Sequence, residues 1–198
     1  MKKNMKLGVV LLAAGRSERF GSNKLLSDYG GRPLICRTLE AAKAVCADKA
    51  CVVTGCAEVA AIARGYALDV VENHDAHLGQ AHSVHLGIDA MQEMDAVLLL
   101  VCDQPRLTGA SLARLLDAFC ASAKGIACLQ DETHMGNPAI FFRRYFPELL
   151  SLSGDRGAKG ILRAHTDDLL VVPCLYGGEL ADADTPQALE EIRRTEEN

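Results

Sequence analysis

The chain has no surplus of positive charge, no long apolar run, no paired-cysteine motif and neither of the two commonest phosphate loops. Each absence removes a class of function. Lys and Arg number 21 against 26 Asp and Glu, a formal net charge of −5 over 198 residues. An extended electropositive surface for nucleic acid is therefore not expected, although a local basic pocket is compatible with that count. No apolar stretch reaches the roughly 18 residues that suggest a membrane span, so no membrane partner is expected. The eight cysteines, at 36, 46, 51, 56, 102, 120, 128 and 174, are scattered through apolar or helical contexts with no C-x-x-C. That usage points to buried, reduced thiols in a cytoplasmic protein, and Cys51 and Cys56 lack the second close pair of a structural zinc site. Met1 to Lys6 resemble the basic start of a signal peptide, but the apolar run that follows ends in Gly15-Arg16 without a processing signature. A strand is expected there.

What is present alternates. Strand-like apolar runs occur at Leu7–Leu12, Ala50–Thr54, Leu68–Glu72, Ala96–Val101, Gly125–Gln130 and Leu169–Pro173. Between them lie stretches with apolar residues three and four apart, at Leu34–Val45, Ser83–Met91, Ser111–Ala123 and Ala188–Ile192; this spacing predicts helices. Continuous apolar runs imply strands covered on both faces. The expected fold is thus α/β, a three-layer, doubly wound arrangement with a mainly parallel sheet. No repeat or linker divides it, so residues 1–198 are read as one domain. The texture changes only from Asp131 to Lys159, with Gly136-Asn137-Pro138, Phe141-Phe142 and Ser153-Gly154-Asp155-Arg156-Gly157. An insertion forming one wall of a cleft is expected there, with the loops after the first and fourth strands opening into that cleft.

The segment Leu7–Leu26 carries the strongest signal. An apolar run ends in Ala13-Ala14-Gly15-Arg16-Ser17-Glu18-Arg19-Phe20-Gly21-Ser22-Asn23-Lys24. The small residues Ala13, Ala14 and Gly15 let a ligand approach the backbone, while Arg16, Arg19 and Lys24 bring positive charge suited to a polyphosphate. No Lys directly follows Gly21, and no G-x-G-x-x-G follows the strand, so this is neither of the familiar loops. Three further groups join it. Cys102-Asp103-Gln104-Pro105 puts a carboxylate at the end of the fourth strand, suited to Mg²⁺ against phosphates, although a turn Asp would look the same alone. Asp182-Ala183-Asp184-Thr185-Pro186 reads as a capped helix start, with Asp184 the natural second metal ligand. Gly79-Gln80-Ala81-His82-Ser83 opens a helix whose first turn, with Gln80 and Ser83, offers hydrogen bonds to a base or ribose. His82 and His85, with His74 and His77 upstream, have no Asp, Glu or Cys at ligand spacing, which argues against a metal site.

Together these residues resemble a family. Leu12 to Lys24 is similar to the L-x-A-G-x-S-x-R-x-G-x-x-K signature of the nucleotidyltransferases with a glycosyltransferase-A-like, nucleotide-diphospho-sugar transferase-like fold. The Ala-Ala-Gly form, Asp103-Gln104-Pro105, Ser153-Gly154-Asp155-Arg156-Gly157-Ala158 and Asp182-x-Asp184-Thr185-Pro186 look most like the molybdenum cofactor cytidylyltransferases among the MobA-like NTP transferases. Two positions depart from that pattern: Cys102 stands where a Gly usually precedes the Asp, and Asn137 where a His often precedes the Pro. The resemblance implies transfer of CMP from CTP to the terminal phosphate of a molybdopterin-type cofactor, with release of pyrophosphate and passage of the product to a molybdenum hydroxylase. It implies catalytic roles for Arg19, Lys24 and Asp103, nucleotide contacts from Leu12, Ala13, Ala14, Gly15, Arg16, Ser17, Gln80 and Ser83, and Mg²⁺ or Mn²⁺ on Asp103 and Asp184. Arg156 and Lys159 are candidates for the acceptor phosphate, Asp155 and Arg156 equally for a local ion pair. Guanylyl or cytidylyl transfer to a sugar, polyol or small organic phosphate is the nearest alternative, and a non-catalytic cofactor-binding chaperone of molybdenum hydroxylases another.

Overall fold

The computed structural model describes residues 4–15, 17, 20–132 and 134–196, without the Glu196 side chain. Seven strands form one sheet: β1 (Leu7–Leu12), β2 (Lys49–Thr54), β3 (Asp69–Glu72), β4 (Ala96–Val101), β5 (Ile126–Gln130), β6 (Met135–Phe142) and β7 (Leu169–Pro173). Their spatial order is β3-β2-β1-β4-β6-β5-β7, and every pairing is parallel except the two made by β6. All six residues of β1 are buried, because helices cover both of its faces.

The two faces divide the core. Val9 and Leu11 of β1 join one apolar cluster with side chains of α1 (Ile35–Ala42), α2 (Ala57–Gly65), α4 (Gly109–Ala121) and α7 (Pro186–Glu196). Val10 and Leu12 join the other, with α3 (Gln80–Ala90), α5 (Phe146–Leu150) and α6 (Lys159–Ala164). This is the expected single three-layer α/β domain. Close approach fixes α3 on the sheet: a Cβ on Gly87 would lie 2.4 Å from a Val10 methyl. No described helix is long and apolar enough to cross a membrane.

All six expected strands begin and end within one residue of the runs read from sequence, and β1, β4 and β7 coincide with theirs. The segment from Asp131 to Lys159 is corrected. It contains β6, an antiparallel strand between β4 and β5 and so a structural part of the sheet, together with α5. Gly136-Asn137-Pro138 disguised it. The register with β5 jumps from Cys128↔Ala139 to Leu129↔Gly136, leaving Asn137 and Pro138 in an irregularity where a residue without an amide hydrogen does no harm.

One polar knot secures the far edge. Asp168, just before β7, accepts hydrogen bonds from Arg144, the Tyr145 hydroxyl and the Gly125 amide. Burial alone would raise this carboxyl, but those bonds overcome it and hold its pKa at about 2. A carboxyl depressed in the folded state contributes stability above its unfolded value, and that contribution disappears as pH falls through the folded value. The side chain is 22% exposed, which limits the contribution to about 1 kcal/mol. Asp168→Asn is expected to lower stability by that amount at pH 7 in urea melts, with the difference from wild type closing between about pH 4 and pH 2.

Candidate active site

The site begins with sheet register. β1 and β4 run parallel side by side, Leu12 opposite Val101, so the loops after them leave the same edge. Lys24 opens a short 3-10 turn, Lys24–Leu26, whose start is capped by the Asn23 side chain on the Leu25 amide. Its own amide donates to Ser17 Oγ, folding the loop back on itself. Its ammonium then donates to Asp103 Oδ2 at 2.6 Å and to Asp184 Oδ1 at 2.8 Å.

Asp184 arrives from the other end of the chain on a tethered segment. The Ala183 amide donates to the Asp103 carbonyl, and Gln104 Nε2 donates to the Leu180 carbonyl and Asp182 Oδ1. Upstream, the buried carboxylate of Glu179 accepts from the hydroxyls of Thr108 and Ser111. Thr185 then caps α7 through the Ala188 amide, as its place before Pro186 predicts. Burial alone would lower the pKa of the Lys24 ammonium; Asp103 and Asp184 outweigh it and hold the value above the ordinary lysine range. The ammonium is therefore charged at any working pH.

A cleft of about 530 Å³ opens above this group, a size suited to a nucleotide. It is lined by Leu12, Ala14, Gly15, Ser17 and Lys24, by Asp103 and Asp184, and by Gln80 and Ser83 of α3. Ala13 instead faces a smaller adjoining pocket, and its amide and carbonyl are already bonded to Val53 and the Thr54 hydroxyl. Arg16 and Arg19 lie outside the described residues. Ser83 Oγ accepts from the buried Asn73 side chain, which in turn accepts from the Asp75 amide.

The 153–157 loop closes the remaining wall. The Gly154 carbonyl accepts from the Ala81 amide, and a Cβ on Gly79, whose φ is +92°, would lie 2.4 Å from the Gly154 backbone. Asp155, not Arg156, faces the cleft. His77, set aside above as a metal ligand, lines the cleft. Asn73 and Glu179 give no sequence signal beyond ordinary turn and loop composition, whereas Gln104 stands within Cys102-Asp103-Gln104-Pro105.

Some chemistry is disfavoured here. Burial, reinforced by Asp103, raises the Cys102 thiol far above its usual range, so it is no thiolate nucleophile. All eight cysteines are free thiols. A divalent cation fits better. Asp103 Oδ1 is buried without a hydrogen-bond partner among the described residues, and with Asp184 it offers hard oxygen ligands. No group of three or more metal-binding side chains exists among the described residues, which suits a cation that takes one or two carboxylates and completes its shell with phosphates.

Comparison with known proteins gives the family. The model of the MobA-like NTP transferase domain matches residues 9–169. The chain belongs to this family. It is 31% identical over 198 residues to the purine catabolism protein PucB of Bacillus subtilis (strain 168), covering 93% of this chain and 95% of that protein. Rv0371c of Mycobacterium tuberculosis H37Rv superposes with a TM-score of 0.80 at 26% identity, over 96% of this chain and 98% of that one. A manganese complex of Rv0371c superposes at 0.77. A nucleotidyl transferase of Methanothermobacter thermautotroptrophicus, at 23% identity, shares the fold, with a TM-score of 0.82 over 97% of both chains.

The tether has a measurable consequence. Gln104→Ala removes the two bonds that hold the Leu180–Asp182 stretch beside Asp103. It is expected to cost about 1–2 kcal/mol in denaturant melts and to weaken binding of a metal–nucleotide complex several-fold in calorimetric titrations, because Asp184 loses its fixed position.

Proposed function

We propose that this MobA-like protein transfers CMP from CTP to the terminal phosphate of a molybdenum-bearing pterin, releasing pyrophosphate, in the cytoplasm. The observation that carries nucleotidyl transfer is the ammonium of Lys24 held between Asp103 and Asp184 in a nucleotide-sized cleft. The cytidylyl and pterin part rests on the Ala13-Ala14-Gly15 loop, the 153–158 segment and the Asp182-x-Asp184-Thr185-Pro186 ending. The relative named for purine catabolism agrees with a recipient hydroxylase, since hydroxylating an aromatic heterocycle is the work of that enzyme class.

The chemistry needs positioning more than proton transfer. The acceptor phosphate oxygen is already an anion; it forms a bond to the α-phosphorus of CTP while the bond from that phosphorus to the bridging oxygen of the β-phosphate breaks, and pyrophosphate departs with the electron pair. Asp103 and Asp184 would hold Mg²⁺ or Mn²⁺, which when bound neutralises phosphate charge and polarises the phosphoryl oxygens. Lys24, whose ammonium sits between the two carboxylates, is assigned to the charge that develops at the α-phosphate. Leu12, Ala14, Gly15 and Ser17 are assigned to the nucleotide, whereas Ala13 faces the adjoining pocket, and Arg16 and Arg19 are assigned to the triphosphate. Gln80 and Ser83 are assigned to cytosine and ribose, Ser83 being oriented by Asn73.

Thermal melts with CTP, GTP, UTP and ATP, each with and without Mg²⁺, test the donor. A ligand at 100 times its Kd should stabilise by about 2.7 kcal/mol, and CTP with Mg²⁺ is expected to give the largest shift. Pyrophosphate release with CTP and isolated molybdopterin tests the acceptor, with Asp103→Asn expected to be slowed at least about 100-fold. Stabilisation by GTP alone would replace the cytidylyl reading with a guanylyl one, and nucleotide binding without pyrophosphate release would leave a carrier.

A further inference from the structure

Lys24 occupies the place where the proposed metal ligands converge. Its ammonium is within hydrogen-bond distance of both carboxylates, and its side chain is only 11% exposed. The backbone of Lys24 is held by Ser17 and lies beside the Asn23 cap, while the four-carbon stem beyond carries the rotatable bonds that can re-aim its ammonium. With the ammonium in place, one positive charge offsets part of the negative charge that the two carboxylates present to an incoming cation. A divalent ion entering then displaces an existing partner or sits beside a like charge. The ligand set is also incomplete without phosphate, since no third metal-binding side chain stands with Asp103 and Asp184 among the described residues.

A triphosphate changes both terms. It offers the ammonium a more highly charged partner in the same cleft, and it brings the oxygens that a small hard cation requires. We propose that Lys24 is an internal stand-in cation: it holds Asp103 and Asp184 in the empty enzyme, so that the divalent ion enters together with the nucleotide and not before it. This rests on the reading of Asp103 and Asp184 as the metal ligands of a nucleotidyltransferase. Lys24 then alternates between two partners, the carboxylates when the cleft is empty and the phosphates when it is filled.

Manganese titrations followed by electron paramagnetic resonance test this without turnover. Wild-type protein is expected to bind Mn²⁺ alone weakly. Lys24→Met and Lys24→Gln, each shown by circular dichroism to be folded, are expected to bind Mn²⁺ alone at least tenfold more tightly. Equal or weaker binding by the folded variants overturns the proposal, and so does tight stoichiometric Mn²⁺ binding by the wild type without nucleotide, a result that needs no variant. The same titration with CTP separates the two levels. If wild-type protein takes up no Mn²⁺ with CTP, the nucleotidyltransferase reading fails; if it does so while the variants show no gain for Mn²⁺ alone, only the stand-in role of Lys24 fails.

Discussion

The parallel pairing of β1 with β4, in register from Leu7↔Ala96 to Leu12↔Val101, is the constraint on which everything at the site depends. A parallel neighbour puts two strand ends, and therefore two loops, at one edge of the sheet. That brings Lys24 and Asp103 within 2.6 Å although 79 residues separate them. The pairing is secured by the core and not by the loops. Both strands are buried on both faces, and Gly87 of α3 lies so close to Val10 that no side chain would fit between helix and sheet. A slip of one residue would turn every inward side chain to the opposite cluster. The position of the Lys24 and Asp103 chain segments is thus set by apolar packing before any polar contact is made.

Electrostatics then decides what the loops can hold. Carboxylate oxygens that share one ammonium lie within about 5 Å of each other and at an effective dielectric of 20 repel by about 3 kcal/mol. Without Lys24 the segment bearing Asp184 would be pushed from Asp103. Backbone and amide tethers resist that push: the Ala183 amide on the Asp103 carbonyl, Gln104 on the Leu180 carbonyl, and Glu179 on the Thr108 and Ser111 hydroxyls. Half-buried ion pairs rarely add net stability over apolar packing, because desolvating the charges offsets their attraction. So costly an arrangement of a cation and two carboxylates is better explained by what it binds than by what it stabilises.

Sequence carried the layered fold and the members of this charge group, for a definite reason. Strands buried on both faces are continuous apolar runs, and a parallel α/β sheet delivers chemistry at strand ends, so Asp103, two residues past Ala96–Val101, was legible. Asp184 was legible from the Thr-Pro cap behind it. What was not legible depends on contacts between distant segments. β6 hid behind Gly136-Asn137-Pro138, since only its partner strand shows that these residues sit at a register shift. Asn73, which orients Ser83, and Glu179, which anchors the segment leading to Asp184, look like ordinary loop residues until the fold brings their partners to them.

The two sides of the cleft are built differently, and this separates the shared chemistry from the selective part. The cation and carboxylates hang from strand ends whose positions the core dictates. The opposite wall is a loop docked backbone to backbone on the start of α3, where Gly79, at a φ of +92°, meets Gly154 with no room for a Cβ on Gly79, and a Cβ on Gly157 would collide with Gln80. Such a junction holds the wall by shape and by a hydrogen bond from the Ala81 amide to the Gly154 carbonyl. Of this loop, Asp155 faces the cleft. Changes in the loop's side chains alter what the wall admits while leaving Lys24, Asp103 and Asp184 where sheet register put them.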